Sequence, residues 1–176
     1  VQLEWVDSAE LSDGNAGDRL RDLQGVIVPG GFGIRGVDGK ISCIRWVREN
    51  RVPYLGICYG MQIAVIEFAR NVAGLPYAGS TEIDTDCAQP VIDLLPEQKK
   101  IEGLGGNMRL GGFDVLLTPR SLISELNDGA ERIRLRFRHR YEVDPQYIEP
   151  LTRHGLRFTG KSPDYPIMQV LELPRD

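Results

Sequence analysis

One stretch of the chain combines residue types and spacing suited to covalent chemistry: Leu55-Gly56-Ile57-Cys58-Tyr59-Gly60-Met61-Gln62. Cys58 stands between glycines two residues before and two residues after it, the form glycine-x-nucleophile-x-glycine. The stretch falls where a short apolar run gives way to a long apolar helical pattern. A nucleophile elbow requires that strand-to-helix turn. The turn holds its nucleophile in strained backbone, so close neighbours must lack side chains, and Gly56 and Gly60 meet that need. The thiol would then stand at a helix N-terminus, where the dipole and open N–H groups favour the attacking thiolate. The Tyr59 N–H can donate to an oxyanion. Gly31, in PGGFG (29–33) at the end of the preceding strand pattern, is the candidate second donor. A small buried thiol is the competing reading for any cysteine. It suits Cys43, inside an amphipathic helical pattern, and Cys87 reads as a bystander in the acidic stretch TEIDTDCAQP. At Cys58 the glycine frame and the strand-to-helix context favour the nucleophile.

The elements that must position this thiol follow from hydrophobic periodicity. VQLEWV (1–6) alternates like a strand, with Val1, Leu3 and Trp5 on one side. Residues 16–23 form a short helical pattern carrying Leu20 and Leu23. GVIVPGG (25–31) and VPYLGIC (52–58) are short apolar runs of the kind that form buried parallel strands. Between them, residues 39–50 repeat Ile41, Ile44 and Val47 once per turn. Residues 59–71 are apolar nearly all round, which predicts a central helix packed on more than one side. This β-α-β-α rhythm predicts an α/β fold: a mainly parallel sheet with helices on both faces. Later, RIRLRFRHRYEV (132–143) alternates strictly, placing Ile133, Leu135, Phe137, His139, Tyr141 and Val143 on one face and arginines on the other. GLRFTGKSPDYPIMQVLEL reads as a hairpin around SPDYP, so an antiparallel part is appended to the parallel sheet. The 176 residues suit one domain, 1–176.

Composition narrows the function classes. Hydrophobic residues make up 41% and charged residues 26%, the balance of a globular chain rather than a disordered one. The formal net charge is −4, and no exposed aromatics interleave with the arginines of the 132–143 strand, so neither nucleic acid nor an anionic membrane is expected as a partner. Three cysteines without a CxxC spacing argue against a disulfide framework or a metal site. No apolar run approaches the ~20 residues that span a bilayer, and no signal peptide opens the chain. A cytoplasmic protein is expected. The opening on Val1 and the stop just after IMQVLELPRD predict a domain cut from a longer chain.

VPGGFGIRGVDGKISCIRWVRENRVPYLGICYGMQIAVIEFARN, with STEIDT, PVIDLLPEQKKIEGLGGNMRLG and RHRYEVDP, closely resembles the glutamine amidotransferase domain of the CTP synthase family. The resemblance covers nearly the whole chain. It implies a class I, flavodoxin-like amidotransferase fold lacking its first strand and helix and its C-terminal end. The implied activity is glutamine hydrolysis through a Cys58 thioester, supplying ammonia for ATP-dependent amination of UTP to CTP. Gly31 and Tyr59 resemble the oxyanion and substrate contacts, and Gly60, Met61 and Gln62 line the glutamine site. Glu82 resembles the carboxylate that reads the substrate's α-ammonium, although the residues alone favour a solvated acid. Arg140 resembles a substrate-contacting arginine, which chemistry alone does not separate from Arg138. The domain itself is expected to need no cofactor or metal. ATP and magnesium belong to an N-terminal synthase domain, GTP acts as allosteric activator, and the full-length protein is expected to be a homotetramer.

The resemblance departs at one point. The family's base is a histidine in a His-Pro-Glu segment, and the two histidines here, His139 and His154, are in no such segment. His139 reads as a packed side chain, and His154, before Gly155, as a helix C-terminal residue favoured by the dipole. The fragment alone is expected to have little activity, because one such base is worth roughly 10²–10⁴ in rate. The glycine-rich IEGLGGNMRLGG (101–112) lacks the Gly-Lys-Ser/Thr ending of a P-loop. By resemblance it is a lid coupled to GTP, with Arg109 a candidate coupling residue. Three alternatives remain: the glutaminase of another amidotransferase, such as one serving GMP or carbamoyl phosphate synthesis; a catalytically inactive regulatory module of the same fold; or a cysteine peptidase-like hydrolase.

Overall fold

The parallel pairing begins with two short strands, β1 (Val26–Val28) and β2 (Tyr54–Gly56), aligned Val26↔Tyr54, Ile27↔Leu55 and Val28↔Gly56. Pro29, which has no N–H to give a ladder, follows β1. Cys58, in positive-φ backbone, stops the chain from extending beyond β2. In this computed structural model, residues 1–95 and 109–174 are described. The start of the glycine-rich segment, 101–108, lies outside them. The chain divides into two compact units, Val1–Gln89 and Pro90–Asp176.

In the first unit, helix α1 (Ala16–Leu20) precedes β1, α2 (Val37–Glu49) lies between the two strands, and α3 (Tyr59–Asn71) follows β2. Helix α2 buries Ile41, Ile44 and Val47, the residues its periodicity had marked, and Cys43 is a core residue beside Leu11, Ala16 and Leu20. Helix α3 buries Ile63, Val65, Ile66, Phe68 and Ala69, each aliphatic side chain contributing roughly 1.5–3 kcal/mol. It also buries Glu67, which periodicity alone had hidden among apolar residues. That carboxylate accepts from Arg48 Nη2 at 2.8 Å, Arg48 Nε at 3.0 Å and Asn71 Nδ2 at 3.1 Å. A buried charge persists only with such pairing. Strand β3 (Ala78–Ser80) is fully buried.

Two expectations for this unit change. Ile27 and Leu55, opposite each other on β1 and β2, are 59% and 53% exposed, so one face of the strand pair is open in this chain. VQLEWV is not a strand: residues 1–7 carry no regular structure. Alternation makes a strand only where a neighbour satisfies its N–H and C=O groups. Val1, Leu3 and Trp5 are exposed, and the half-buried Val6 packs on the Leu11–Cys43 cluster instead.

The second unit is antiparallel. Strand β5 (Arg109–Leu117) pairs with β6 (Arg132–His139) from Arg109↔His139 to Leu116↔Arg132. On its other side β5 pairs with β8 (Arg157–Lys161), and β8 with β9 (Met168–Glu172), the hairpin that SPDYP announced. Val115, Leu117 and Phe137 form its core with Ile123, Ile133 and Val170. Strand β4 (Gln89–Asp93) pairs antiparallel with β7 (Glu142–Val143). Among its described residues are also the helices α4 (Leu122–Glu125) and α5 (Pro145–Arg153). The antiparallel portion is thus longer than the described parallel pair. The alternation expected through 132–143 breaks: β6 ends at His139, Arg140 sits on a bend, and the chain rejoins a sheet at Glu142.

Candidate active site

Cys58 is the residue just before α3, with φ 55° and ψ −106°. A non-glycine residue held there costs about 1–3 kcal/mol and persists only when its surroundings impose it. They do so on both sides. A Cβ on Gly56 would stand 2.7 Å from the Gly60 carbonyl carbon and 2.8 Å from Met61 N. One on Gly60 would stand 2.2 Å from the Val28 carbonyl oxygen. The Ile57 N–H donates to that same Val28 oxygen at 2.9 Å, prolonging the β1–β2 ladder to the residue before the thiol. The Tyr54 hydroxyl donates to the Gly60 carbonyl at 2.8 Å, and burial pushes that hydroxyl's pKa well up. The first turn closes with Gln62 N–H donating to Cys58 O at 3.1 Å.

No side chain caps α3. Its thirteen-residue dipole therefore points its positive end at the half-buried Cys58. Cys43 presents the contrast: buried in the core, its thiol is pushed up to about 11 by desolvation. Cys87 is half-buried, its sulfur 3.7 Å from the Tyr77 carbonyl.

The PGGFG loop lies across the elbow. A Cβ on Gly30 would sit 3.5 Å from Cys58 Cβ and 3.9 Å from its Sγ, and one on Gly31 would meet the Tyr59 ring at 3.6 Å. Of the loop's glycines, Gly30 is the one whose Cβ position falls within 4 Å of the sulfur. Gly33, at φ 74°, ends the loop and is held at both of its polar atoms. Its N–H donates to Glu82 Oε1 at 3.3 Å, and its carbonyl accepts from the Tyr59 hydroxyl. Glu82 sits in the turn after β3, its own N–H donating to Ser80 Oγ at 3.1 Å. It is therefore no idle surface acid. Burial first, and the nearby Glu82 charge second, push the Tyr59 hydroxyl up to about 12, so it remains a donor.

The fold thus gathers Cys58, Gly31, Tyr59, Gly60, Met61, Gln62 and Glu82 within the first unit: a strained thiol, a helix N-terminus, a backbone loop and one carboxylate. Such a set can attack a carbonyl carbon, hold the resulting oxyanion on main-chain N–H groups and bind a cationic group nearby.

A family model for the class I glutamine amidotransferases matches residues 1–175. The chain belongs to that family. It is 51% identical over 174 residues to a CTP synthase of Desulfitobacterium hafniense and 52% identical over 176 residues to one of Methanopyrus kandleri. Each alignment covers 99% of this chain, which spans about a third of those relatives' length (32% and 33%). The Trypanosoma brucei CTPS glutaminase domain with bound acivicin superposes with a TM-score of 0.86 at 35% identity, over 98% of this chain and 67% of that one. The class I amidotransferase fold expected from the resemblance is the fold observed.

The second unit of this amidotransferase carries Arg140. Arg138 lies on β6 opposite Leu110 and is exposed, whereas Arg140 is half-buried on the bend beyond the strand, so geometry separates two arginines that composition could not. The bend is flanked by a buried ion pair that the sequence had not suggested. Glu142, 1% exposed, accepts from Arg109 Nη2 at 3.0 Å and Nε at 3.1 Å, and the Arg109 guanidinium lies 4.0 Å over the Phe137 ring. His139 packs edge-on against Phe137 with Nδ1 3.7 Å from Glu142. His154 follows α5, its Nδ1 2.8 Å from the Pro150 carbonyl, the C-terminal placement expected of it. Among the described residues, no group of three or more His, Cys, Asp or Glu could hold a metal ion, and no helix is long and apolar enough to cross a membrane.

Proposed function

We propose that this chain hydrolyses glutamine as the ammonia-supplying part of a CTP synthase, with Cys58 as nucleophile. The observation that carries the reading is the backbone of Cys58: a thiol held at φ 55° by two glycines that admit no side chain, at an uncapped helix N-terminus. The family match and the half-identical CTP synthases support the choice of substrate.

The glutamine carboxamide carbon meets the Cys58 sulfur, a C–S bond forms, and the carbonyl electron pair moves to oxygen. The Tyr59 N–H and the Gly31 N–H receive that oxyanion; each such donor is typically worth ~10²–10³ in rate. Collapse breaks the C–N bond, and nitrogen leaves as ammonia with the proton the thiol gave up. Water then cleaves the thioester to glutamate. The proton carrier is the histidine of the family's His-Pro-Glu segment, which neither His139 nor His154 provides. Glu82 takes the substrate's α-ammonium, Met61 and Gln62 line the site, and Arg140 contacts the substrate. The ammonia passes to a synthase domain that aminates UTP with ATP and magnesium, in a cytoplasmic homotetramer activated by GTP.

The test uses full-length protein and counts ammonia released from glutamine beside Cys58→Ala. Retention of the wild-type rate by that variant would remove the nucleophile from Cys58.

A further inference from the structure

The Tyr59 hydroxyl takes no part in the chemistry just described, yet it is buried beside it. Tyr59 is 2% exposed, its N–H is at the oxyanion site, and its ring faces Gly31. At the far end of the ring its hydroxyl donates to the Gly33 carbonyl, while the Gly33 N–H donates to Glu82. A single peptide region at the end of the loop is therefore gripped from two sides, and Gly30 of the same loop lies against the Cys58 side chain. Gly33 itself offers no steric anchor, since a Cβ there would meet nothing within 4 Å. Those two hydrogen bonds hold the end of the loop that lies against the thiol.

We propose that the Tyr59 hydroxyl is a positioning group that holds the Gly30–Gly33 loop over Cys58 while glutamine is bound. This rests on the reading of Cys58 and Glu82 given above. When a substrate ammonium takes the Glu82 carboxylate, the Gly33 N–H must share or lose its acceptor. The Tyr59–Gly33 bond is then the remaining lock on the loop. Loss of the hydroxyl should be felt most in the substrate-loaded enzyme, when the loop N–H must meet the oxyanion. That predicts an effect on kcat rather than on KM. The hydroxyl, pushed up to about 12 by burial and by Glu82, stays protonated across the assay range.

Tyr59→Phe in the full-length protein keeps the ring against Gly31 and removes only the donor. The expected result is a kcat for glutamine hydrolysis about five- to tenfold lower, the worth of one hydrogen bond. KM should stay within about twofold, and iodoacetamide should alkylate Cys58 at the wild-type rate. Gly33→Ala is the second variant, for the case in which Tyr59→Phe lowers the melting temperature. Alanine does not hold a φ of 74° cheaply, so it displaces the same carbonyl without touching Tyr59. The same selective loss of kcat is expected. Wild-type kcat in both variants, or a loss confined to KM, overturns the proposal. Undiminished hydrolysis by Cys58→Ala would instead remove the nucleophile assignment beneath it, so the two failures are distinguishable.

Discussion

Helices α3 and α5 begin in opposite ways. Helix α5 starts from Asp144, in extended backbone (φ −67°, ψ 126°), with its carboxylate accepting the Gln146 N–H at 2.9 Å and proline in the first turn. The Ser121 side chain caps α4, and Asp7 caps the 3-10 turn Ser8–Glu10, in the same manner. Helix α3 starts from Cys58 at φ 55° with no side-chain cap. A cap at a helix start typically contributes ~1 kcal/mol, and a strained residue costs about 1–3 kcal/mol. Helix α3 forgoes the first and bears the second. On the proposed reading, that start sets a thiol beside a helix N-terminus, the pair that acyl chemistry needs. Helix α2 also starts without a side-chain cap, from Gly36 at φ 66°, but glycine adopts that backbone without strain, whereas α3 places a side chain in it.

The comparison breaks most visibly at Cys58. Cys58→Ala should lower glutamine hydrolysis by at least about 10³-fold, measured as ammonia release, with circular dichroism unchanged. Gly60→Ala comes next: its Cβ would overlap a backbone oxygen, so stability should fall by about 3 kcal/mol in denaturant titration, with activity lost. The same substitution at Gly31 meets only ordinary contacts and should leave stability within about 0.5 kcal/mol. The contrast sharpens with a pair of variants. Cys58→Gly should stabilise the fold by about 1 kcal/mol by releasing strain while abolishing activity, and Asp144→Ala should destabilise it by about 1 kcal/mol while sparing activity per folded molecule. If both variants lose stability, strain at the elbow is not what distinguishes the two helix starts.

The smallest effect concerns the Asp7 cap. The Ala9 N–H, the largest influence, together with Arg35 and Lys40 holds the Asp7 carboxyl below its ordinary 3.8, against the opposing effect of desolvation. A folded pKa depressed in this way gives stability that is fully present above 3.8 and is lost as pH falls through the lower folded value. Asp7→Asn should remove that acid-side component, seen as a slightly flatter dependence of melting temperature on pH below 4.

Much of this arrangement was legible in order along the chain. The helix over 59–71, the strand before it and the hairpin around SPDYP are local patterns, and each formed where its periodicity indicated. The elbow was legible because its steric demand is local: two glycines placed by the nucleophile they flank. Legibility failed where the deciding partner was distant. VQLEWV alternates like a strand but has no ladder in this chain. Glu82 looked like one acid among several until Gly33, 49 residues away, took its carboxylate. Glu67 and Glu142 sat within apolar or alternating runs, and nothing local indicated that Arg48 or Arg109 would meet them.

What the sequence determined by itself was the elbow: a thiol at a strand-to-helix turn, because the backbone conformation there depends on side chains within two residues of Cys58. Only the tertiary structure decided that Gly30 lies close to the Cys58 side chain, that Glu82 meets the Gly33 N–H, and that the Tyr59 hydroxyl meets the Gly33 carbonyl. Those choices depend on hydrogen bonds between segments far apart in the chain, and such bonds are set by packing rather than by local propensity.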